Sequence, residues 1–371
     1  EFSDRILGAF NDQDSSKDWA ATSGLDLSGA KNLGLKGGRF ELVIVDEDSK
    51  INVNLGASND IAHIRLAKQL MSTMAPPVYN PLFEQRDATG NQHDRFTVCS
   101  SIIDWADVDE NRFNCDLTQS APSGSAIEDY AYYQYLPRPY RIKNAPYDSM
   151  DELHLVRGVT DDFWATFVDP DPTNPRKRVF TVWGQGTVNV NSANGLTLFS
   201  IVCSGAPQAD LCTDPLQMQT FIMGVTMAQG ISMGAPIFGS PSDFIATMKG
   251  KGMLGPLLTG MGMKPVKFQS ESEFAKSIST ESKMFSIYAV GVVKGYKRET
   301  RTSIHAVVDF RTAPPLIGSG APGTPGASSS SPPGAPPPGS TAPAGTATNP
   351  NGIAAATQPS TGGNIIHYKM D

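Results

Sequence analysis

Between residues 312 and 363 the chain carries no charged side chain and is dense in Pro, Gly, Ser, Ala and Thr. Such a composition cannot bury enough apolar surface to offset the entropy of ordering, so residues 311–363 are expected to form a disordered loop. The chain does not stop there: its last eight residues, "NIIHYKMD", again read as a strand. A tract of this kind that returns to a strand is a long loop within a sheet rather than a tail. Loop-closure entropy grows only with the logarithm of length, so a sheet tolerates the loop if the closing strand buries Ile365, Ile366 or Tyr368. The strand therefore needs an earlier partner. The nearest is "MFSIYAVGVVKGYKRETRTSIHAVVDF", 284–310, a β-hairpin turning near "KRET" with Ile287, Ala289, Gly291 and Val293 in alternation.

The first half of the chain mixes both hydrophobic periods. "RFELVIVDEDSKINVN", 39–54, reads as two strands around a turn-like "DEDSK", with Phe40, Leu42 and Ile44 alternating with Glu41, Val43 and Val45. "IAHIRLAKQLMSTM", 61–74, reads as a helix capped by Asp60, with Ile61, Ile64, Ala67, Met71 and Met74 on one stripe that Leu70 widens. In "SMDELHLVRGVTDDFWATF", Ser149 and Glu152 form a capping box, Gly158 ends the turn, and Thr160 caps a second helix. This is a helix-hairpin-helix shape. Asp161 and Asp162 beside the turn argue for packing rather than for DNA phosphate. "TVNVN", 187–191, echoes "KINVN", 50–54, and is read as a second strand rather than as a domain repeat. Residues 216–262 are helical and rich in Met and Gly, with "DFIATMKGKGMLG" as a second helical hairpin; no Gly-Lys-Ser/Thr follows its glycines, so the likeness to a phosphate loop is weak.

The stretch richest in possible chemistry is "IDWADVDENRFNCD", 103–116, which places Asp104, Asp107, Asp109, Glu110 and Asp116 around one Trp. It is not an EF-hand. With Asp107 as position 1, the obligatory Gly is Arg112 and the bidentate Glu is Thr118. Carboxylates this dense repel one another, and a cation relieves that repulsion; hard oxygen donors without His or Met favour Ca²⁺ over zinc or copper. Glu128 and Asp129, beyond a Gly/Ser/Pro loop, supply a second acidic pair. The alternative is a solvated acidic loop ahead of a helix start.

The length of 371 residues suggests two or three domains, and a net charge of −7 leaves no broad basic surface for nucleic acid. Cys99, Cys115, Cys203 and Cys212 permit three pairings. Local pairing, Cys99 with Cys115 and Cys203 with Cys212, is the simplest, and the first bridge would contribute about 3 kcal/mol. Four buried free thiols are the alternative. Bridges would imply an oxidising, periplasmic or extracellular compartment. No run of 18 apolar residues occurs, and "EFSDRILGAF" reads as the end of something longer.

Several of these stretches fall into one order: "DEDSKINVN", "IDWADVDEN", "EDYAYY", "KNAPYDSMDELHLVRGVT", "GTVNVNSAN" and a closing hairpin. In that order they resemble the K-type minor pseudopilins of type II secretion systems (general secretion pathway protein K). The match runs from about residue 37 to 310 plus the last eight residues, and "SMDELHLVRGVT" followed by "VNVNSA" is its most specific part. The resemblance implies an α+β fold: a pilin-like core of N-terminal helix stub and antiparallel sheet, interrupted by a large, mainly helical insert domain with helix-hairpin-helix/SAM-like units. The expected boundaries are 1–56 for the first part of the core and 57–180 for the helical insert with the acidic loop. Residues 181–265 then form a strand and second helical hairpin, and 266–310 with 364–371 the closing strands. It also implies Ca²⁺ held by Asp107, Asp109, Glu128 and Asp129, with Asp104 beside them. Implied partners are the I-type and J-type minor pseudopilins and the pseudopilus, with secretion substrates or the outer-membrane channel as further contacts. No nucleic acid is implied, and membrane contact only through an N-terminal helix absent from this sequence, of which "EFSDRILGAF" would be the stub. The site of action would be the periplasm, with the full-length protein anchored in the bacterial inner membrane. The chain departs from the family pattern in its four cysteines, in the extended "PVYNPLFEQRDATGNQHD" and in the uncharged insertion.

On this reading the protein is not an enzyme; it starts and caps pseudopilus assembly. The rival classes are a calcium-binding surface adhesin or pilus-tip binding module, and a calcium-dependent hydrolase using paired carboxylates or a Ser with His154 or His305. No Gly-x-Ser-x-Gly or His-Glu-x-x-His supports the hydrolase.

Overall fold

The alternation at 39–46 makes a sheet strand, and the acidic residues that follow take the chain out of that sheet. The computed structural model describes residues 38–84, 86, 90, 92–118, 123–127, 130–232, 235–252, 254–296, 298–313 and 363–371. The expected N-terminal stub lies outside them. In chain order the strands are β1 (Gly38–Asp46), β2 (Ile51–Asn52), β3 (Asn111–Phe113), β4 (Ser123–Ile127) and β5 (Phe180–Thr181). There follow β6 (Val188–Asn189), β7 (Ile278–Ser279), β8 (Met284–Lys294), β9 (Glu299–Asp309) and β10 (Asn364–Met370). The helices include α1 (Asp60–Met74), α2 (Arg95–Asp104), α3 (Asp161–Phe163) and α4 (Gly195–Gly205), then α5 (Pro215–Ser232), α6 (Pro241–Met248), α7 (Gly255–Gly260) and α8 (Glu271–Ala275).

The chain divides into two compact units, residues 1–308 with 365–371 and residues 309–364. In the second, Arg311 Nη2 lies 2.5 Å from Asp309 Oδ2, and Asn364 Nδ2 donates to Thr312 Oγ1 at 3.2 Å. The expected disordered tract falls, from 314 to 362, outside the described residues.

The first unit is α+β. Its sheet has the order β1-β8-β9-β10, with β1 antiparallel to β8 from Gly38 opposite Val293 to Asp46 opposite Phe285. The last strand does close the sheet, and Ser303 and Asp371 exchange both backbone hydrogen bonds at 3.0 Å. It does so without burying the residues expected to hold it. Ile365, Ile366 and Tyr368 are 65, 44 and 57% exposed. An edge strand has a neighbour on one side only. The half-buried His367 instead meets the rings of Trp183 at 5.5 Å and His305 at 5.2 Å. At the opposite edge, Arg176 Nη2 donates to Ile44 O at 3.0 Å, which ties β1 to the helical body.

"DEDSK" is not a hairpin turn. It forms a 3₁₀ turn, Glu47–Ser49, in which Glu47, Asp48, Ser49 and Lys50 are all buried, and the strand after it leaves the sheet. β2 pairs in parallel with β5, and β6 in parallel with β7. Residues 51–52 and 278–279 thus belong to the helical body, and the sheet resumes at Met284 rather than at 266.

The "NVN" echo proves to mark a repeat. In each copy a two-residue strand ends on an Asn whose side chain accepts the N–H two residues on, Asn52 from Asn54 and Asn189 from Asn191, both at 2.9 Å. The second Asn then ties down a distant loop. Asn54 Nδ2 donates to Tyr147 O and Val182 O, and Asn191 Nδ2 to Phe238 O and Thr280 O. Each copy continues into an Asn-capped helix, α1 behind Asn59 and α4 behind Asn194. A helical hairpin with a left-handed glycine follows, Gly158 (φ 83°) in one and Gly250 (φ 76°) in the other. A Cβ on Gly158 would lie 2.6 Å from Val98 Cγ2, so the conformation and the space both demand glycine. A parallel strand closes each copy.

The two copies pack on each other through α1 and α4, and one hydrophobic core runs through both. The cap of α1 is Asn59 rather than Asp60, and of its expected stripe Ala67, Leu70 and Met74 are buried and Ile64 and Met71 pack half-buried against the core. Ile61 is 70% exposed, while Ala62 and Leu66 are buried as well. Cys99 is bonded to Cys115 and Cys203 to Cys212, so each copy carries one staple.

Candidate functional site

Asp94 accepts the Thr97 N–H at 2.7 Å and starts α2, which ends on Asp104 and is stapled at Cys99 to the far side of the acidic loop. Asp104 and Asp107 are 3 and 4% exposed, so this is not a merely solvated loop. Asp104 Oδ1 accepts from Phe113 N at 2.8 Å, which folds the loop back over the helix end. Asp109 Oδ1 accepts from Asn111 N at 2.7 Å. Beyond it β3 pairs with β4, Asn111 opposite Ile127.

Of the five expected cation ligands, Asp104, Asp107 and Asp109 are brought to one loop. Glu128 and Asp129 lie outside the described residues. Among the described residues no three His, Cys, Asp or Glu side chains converge to hold a metal. One residue outside the acidic pattern is bonded to this loop. Asn144 sits in the left-handed region at φ 46° and its Nδ2 donates to Asp109 O at 2.9 Å. Its Oδ1 is buried and has no hydrogen-bond partner. The sequence signal was small: an Asn two residues before Pro, a residue type that tolerates this backbone. Alongside, Tyr147 donates to Ile102 O at 2.9 Å. Burial, with the phenol of Tyr133 and the carboxylates of Glu152, Asp104 and Asp107 nearby, holds its phenol well above the usual range.

A second set of acidic groups lies where β1 enters the helical body. Glu47 Oε2 accepts from Lys50 Nζ at 3.0 Å and from Thr181 Oγ1 at 2.5 Å. Burial opposes its charge, but Lys50 and the hydroxyl donors outweigh burial and hold it below the usual carboxylate range. Asp48 Oδ2 accepts from Lys283 N (2.7 Å) and Met284 N (3.1 Å), and Oδ1 from Gln185 N (3.4 Å). Gly184 has φ 96°, and a Cβ there would meet Asp48 Oδ1 at 2.5 Å. Asp46 Oδ2 accepts from Ser192 Oγ and, at 2.5 Å, from Ser282 Oγ, while Oδ1 is buried without a partner.

Neither histidine offers a nucleophile's base. His154 is exposed and stacks on Trp164 at 3.7 Å. His305 stacks on Tyr288 at 4.2 Å and its Nε2 lies 3.3 Å from Ser286 Oγ, but Ser286 has no exposed surface. Burial first, then the neighbouring His367, pushes His305 down to about 4.

No protein-family model and no curated protein matches the chain. Among solved structures it is similar to a chain of the GspK-GspI-GspJ complex of the type 2 secretion system of enterotoxigenic Escherichia coli. The two are 14% identical, the similarity covers 74% of this chain and 76% of that one, and the TM-score is 0.46.

The junction has a pH signature. Burial raises the Asp46 carboxyl to about 6, against the Ser192 and Ser282 hydroxyls that lower it and with the Asp48 and Glu47 charges that raise it. A group whose folded pKa lies above its unfolded one contributes stability below the unfolded pKa, near 3.8, and that stability is lost as pH rises through about 6. Asp46→Asn removes the ionisation. Thermal melts at pH 7.5 should show the variant more stable than the parent by about 1 kcal/mol, with the gain gone near pH 4. A gain that is the same at both pH values contradicts the assignment.

Proposed function

We propose that this chain is a K-type minor pseudopilin, acting at the tip of a type II secretion pseudopilus. The observation that carries the reading is the order of the parts. A sheet opens with β1, is interrupted by the whole stapled helical body through the buried "DEDSKINVN" segment, and resumes with β8, β9 and β10. The motifs on which the sequence resemblance rests stand at those joints and hairpins. A subunit carrying so large a body beside its sheet suits the end of a helical stack, where no further subunit must pass it. Its role is to start and cap assembly with I-type and J-type minor pseudopilins, on the periplasmic side of the inner membrane, and it needs no catalytic centre for that. The test is assembly. Mixed with the I-type and J-type soluble domains from the same organism, the chain should co-elute with both as one species; separate elution of all three contradicts the reading.

The same reading places a calcium ion at the acidic loop. Asp104, Asp107 and Asp109 supply carboxylates, the partnerless Oδ1 of Asn144 supplies a neutral oxygen, and Glu128 and Asp129 follow Ile127 in sequence. All are hard oxygen donors, which suit Ca²⁺. An ion bound only to the folded state adds about 2.7 kcal/mol at a hundredfold excess over its Kd. Melting temperature should rise with Ca²⁺ and fall with chelator in the parent, and the difference should shrink in Asn144→Ala and vanish in Asp107→Ala with Asp109→Ala. A parent melting curve that ignores chelator would sink the calcium site.

A further inference from the structure

The turn between β8 and β9 differs in charge from the rest of the molecule. The whole chain carries a net charge of −7, yet residues 294–301, "KGYKRETR", hold four cations and one carboxylate. The turn is tight, with Gly295 N donating to Arg298 O at 2.9 Å at the end of two eleven-residue strands. Lys294, Arg298 and Arg301 are exposed, and Tyr296 is 98% exposed. Arg39, opposite Val292 on the neighbouring strand, adds another cation at the same end of the sheet. Glu299 is shared between Arg39 and Arg301, each at 3.5 Å, so Lys294 and Arg298 have no acidic partner among the described residues.

We propose that this hairpin tip is a docking surface for anionic lipid headgroups. Cations attract the phosphates of an acidic membrane surface, each contributing a factor of about five in partitioning. Tyrosine is a side chain that settles at such an interface, its ring against the acyl boundary and its hydroxyl among the headgroups. An acidic protein partner fits less well, because a protein interface centres on anchors enclosed in a pocket. Here the aromatic ring stands on a projecting turn beside Val293, itself 45% exposed. The inference needs nothing from the secretion reading, since any acidic membrane surface would serve.

Sedimentation of the full chain with lipid vesicles tests it. Vesicles of phosphatidylcholine with phosphatidylglycerol should carry the chain down at low salt and release it at high salt, and phosphatidylcholine alone should not. Lys294→Gln and Arg298→Gln should each weaken binding about fivefold, and Tyr296→Ser should weaken it without changing the salt dependence. All three positions are exposed, and melting curves verify that the variants fold. Absence of binding to the acidic vesicles, or binding that survives the tip variants, overturns the proposal. Binding that depends on charge alone, ignores Tyr296→Ser and is matched on a polyglutamate resin also overturns it, in favour of an acidic protein surface.

Discussion

Three consecutive carboxylates, Asp46, Glu47 and Asp48, fix every point at which the chain passes between sheet and helical body. Glu47 holds Lys50 and Thr181 at the way out of β1, where the first copy of the repeat begins and ends. Asp48 receives Gln185 N from the joint between the two copies, and Lys283 N and Met284 N where the chain returns to β8. Asp46 binds the hydroxyls of Ser192 in the second copy and of Ser282 just after it. A buried charge is costly unless it is paired and hydrogen-bonded; Glu47 has Lys50 and Thr181, Asp48 has three backbone N–H groups, and Asp46, with one oxygen unpartnered, is instead held toward its neutral form. A short polar segment can therefore set the position of a much larger insertion.

With the junction set, the body is built twice on one plan. Paired Asn residues brace each short parallel strand, an Asn caps the first helix, and a left-handed glycine turns the hairpin. Each copy has its own disulfide, but only the first closes one over an acidic loop. The copies share a core while the loop that carries the candidate cation ligands lies in one of them. The scaffold recurs while the loop differs, so the loop can vary without altering the packing of the body.

Much of this was legible in the residues. The β8–β9 hairpin and the return of the last strand follow from alternation alone, and local disulfides are the simplest pairing of four cysteines. What escaped had physical reasons. "DEDSK" looks like a solvated turn because composition cannot reveal that Thr181, Gln185 and Met284 converge on it from far along the chain. The "NVN" repeat hid because its two copies share few residues outside five-residue signatures and span unequal lengths, 51–181 and 188–279. On α1 Ile61 alone leaves the expected stripe, because it sits in the first turn behind Asn59 and is 70% exposed. Asn144 lay outside any acidic pattern, since its oxygen matters only through the fold that brings it beside Asp109.

Native-state hydrogen exchange on Asp48→Asn tests most directly whether the carboxylate junction couples sheet to body. Weakening the acceptor for Lys283 N and Met284 N should speed exchange across β1 and β8, while the amides of α1 and α4 keep their protection. Unchanged exchange in the sheet, or a uniform rise through sheet and helices alike, would contradict the claim that these three residues are what joins the two parts.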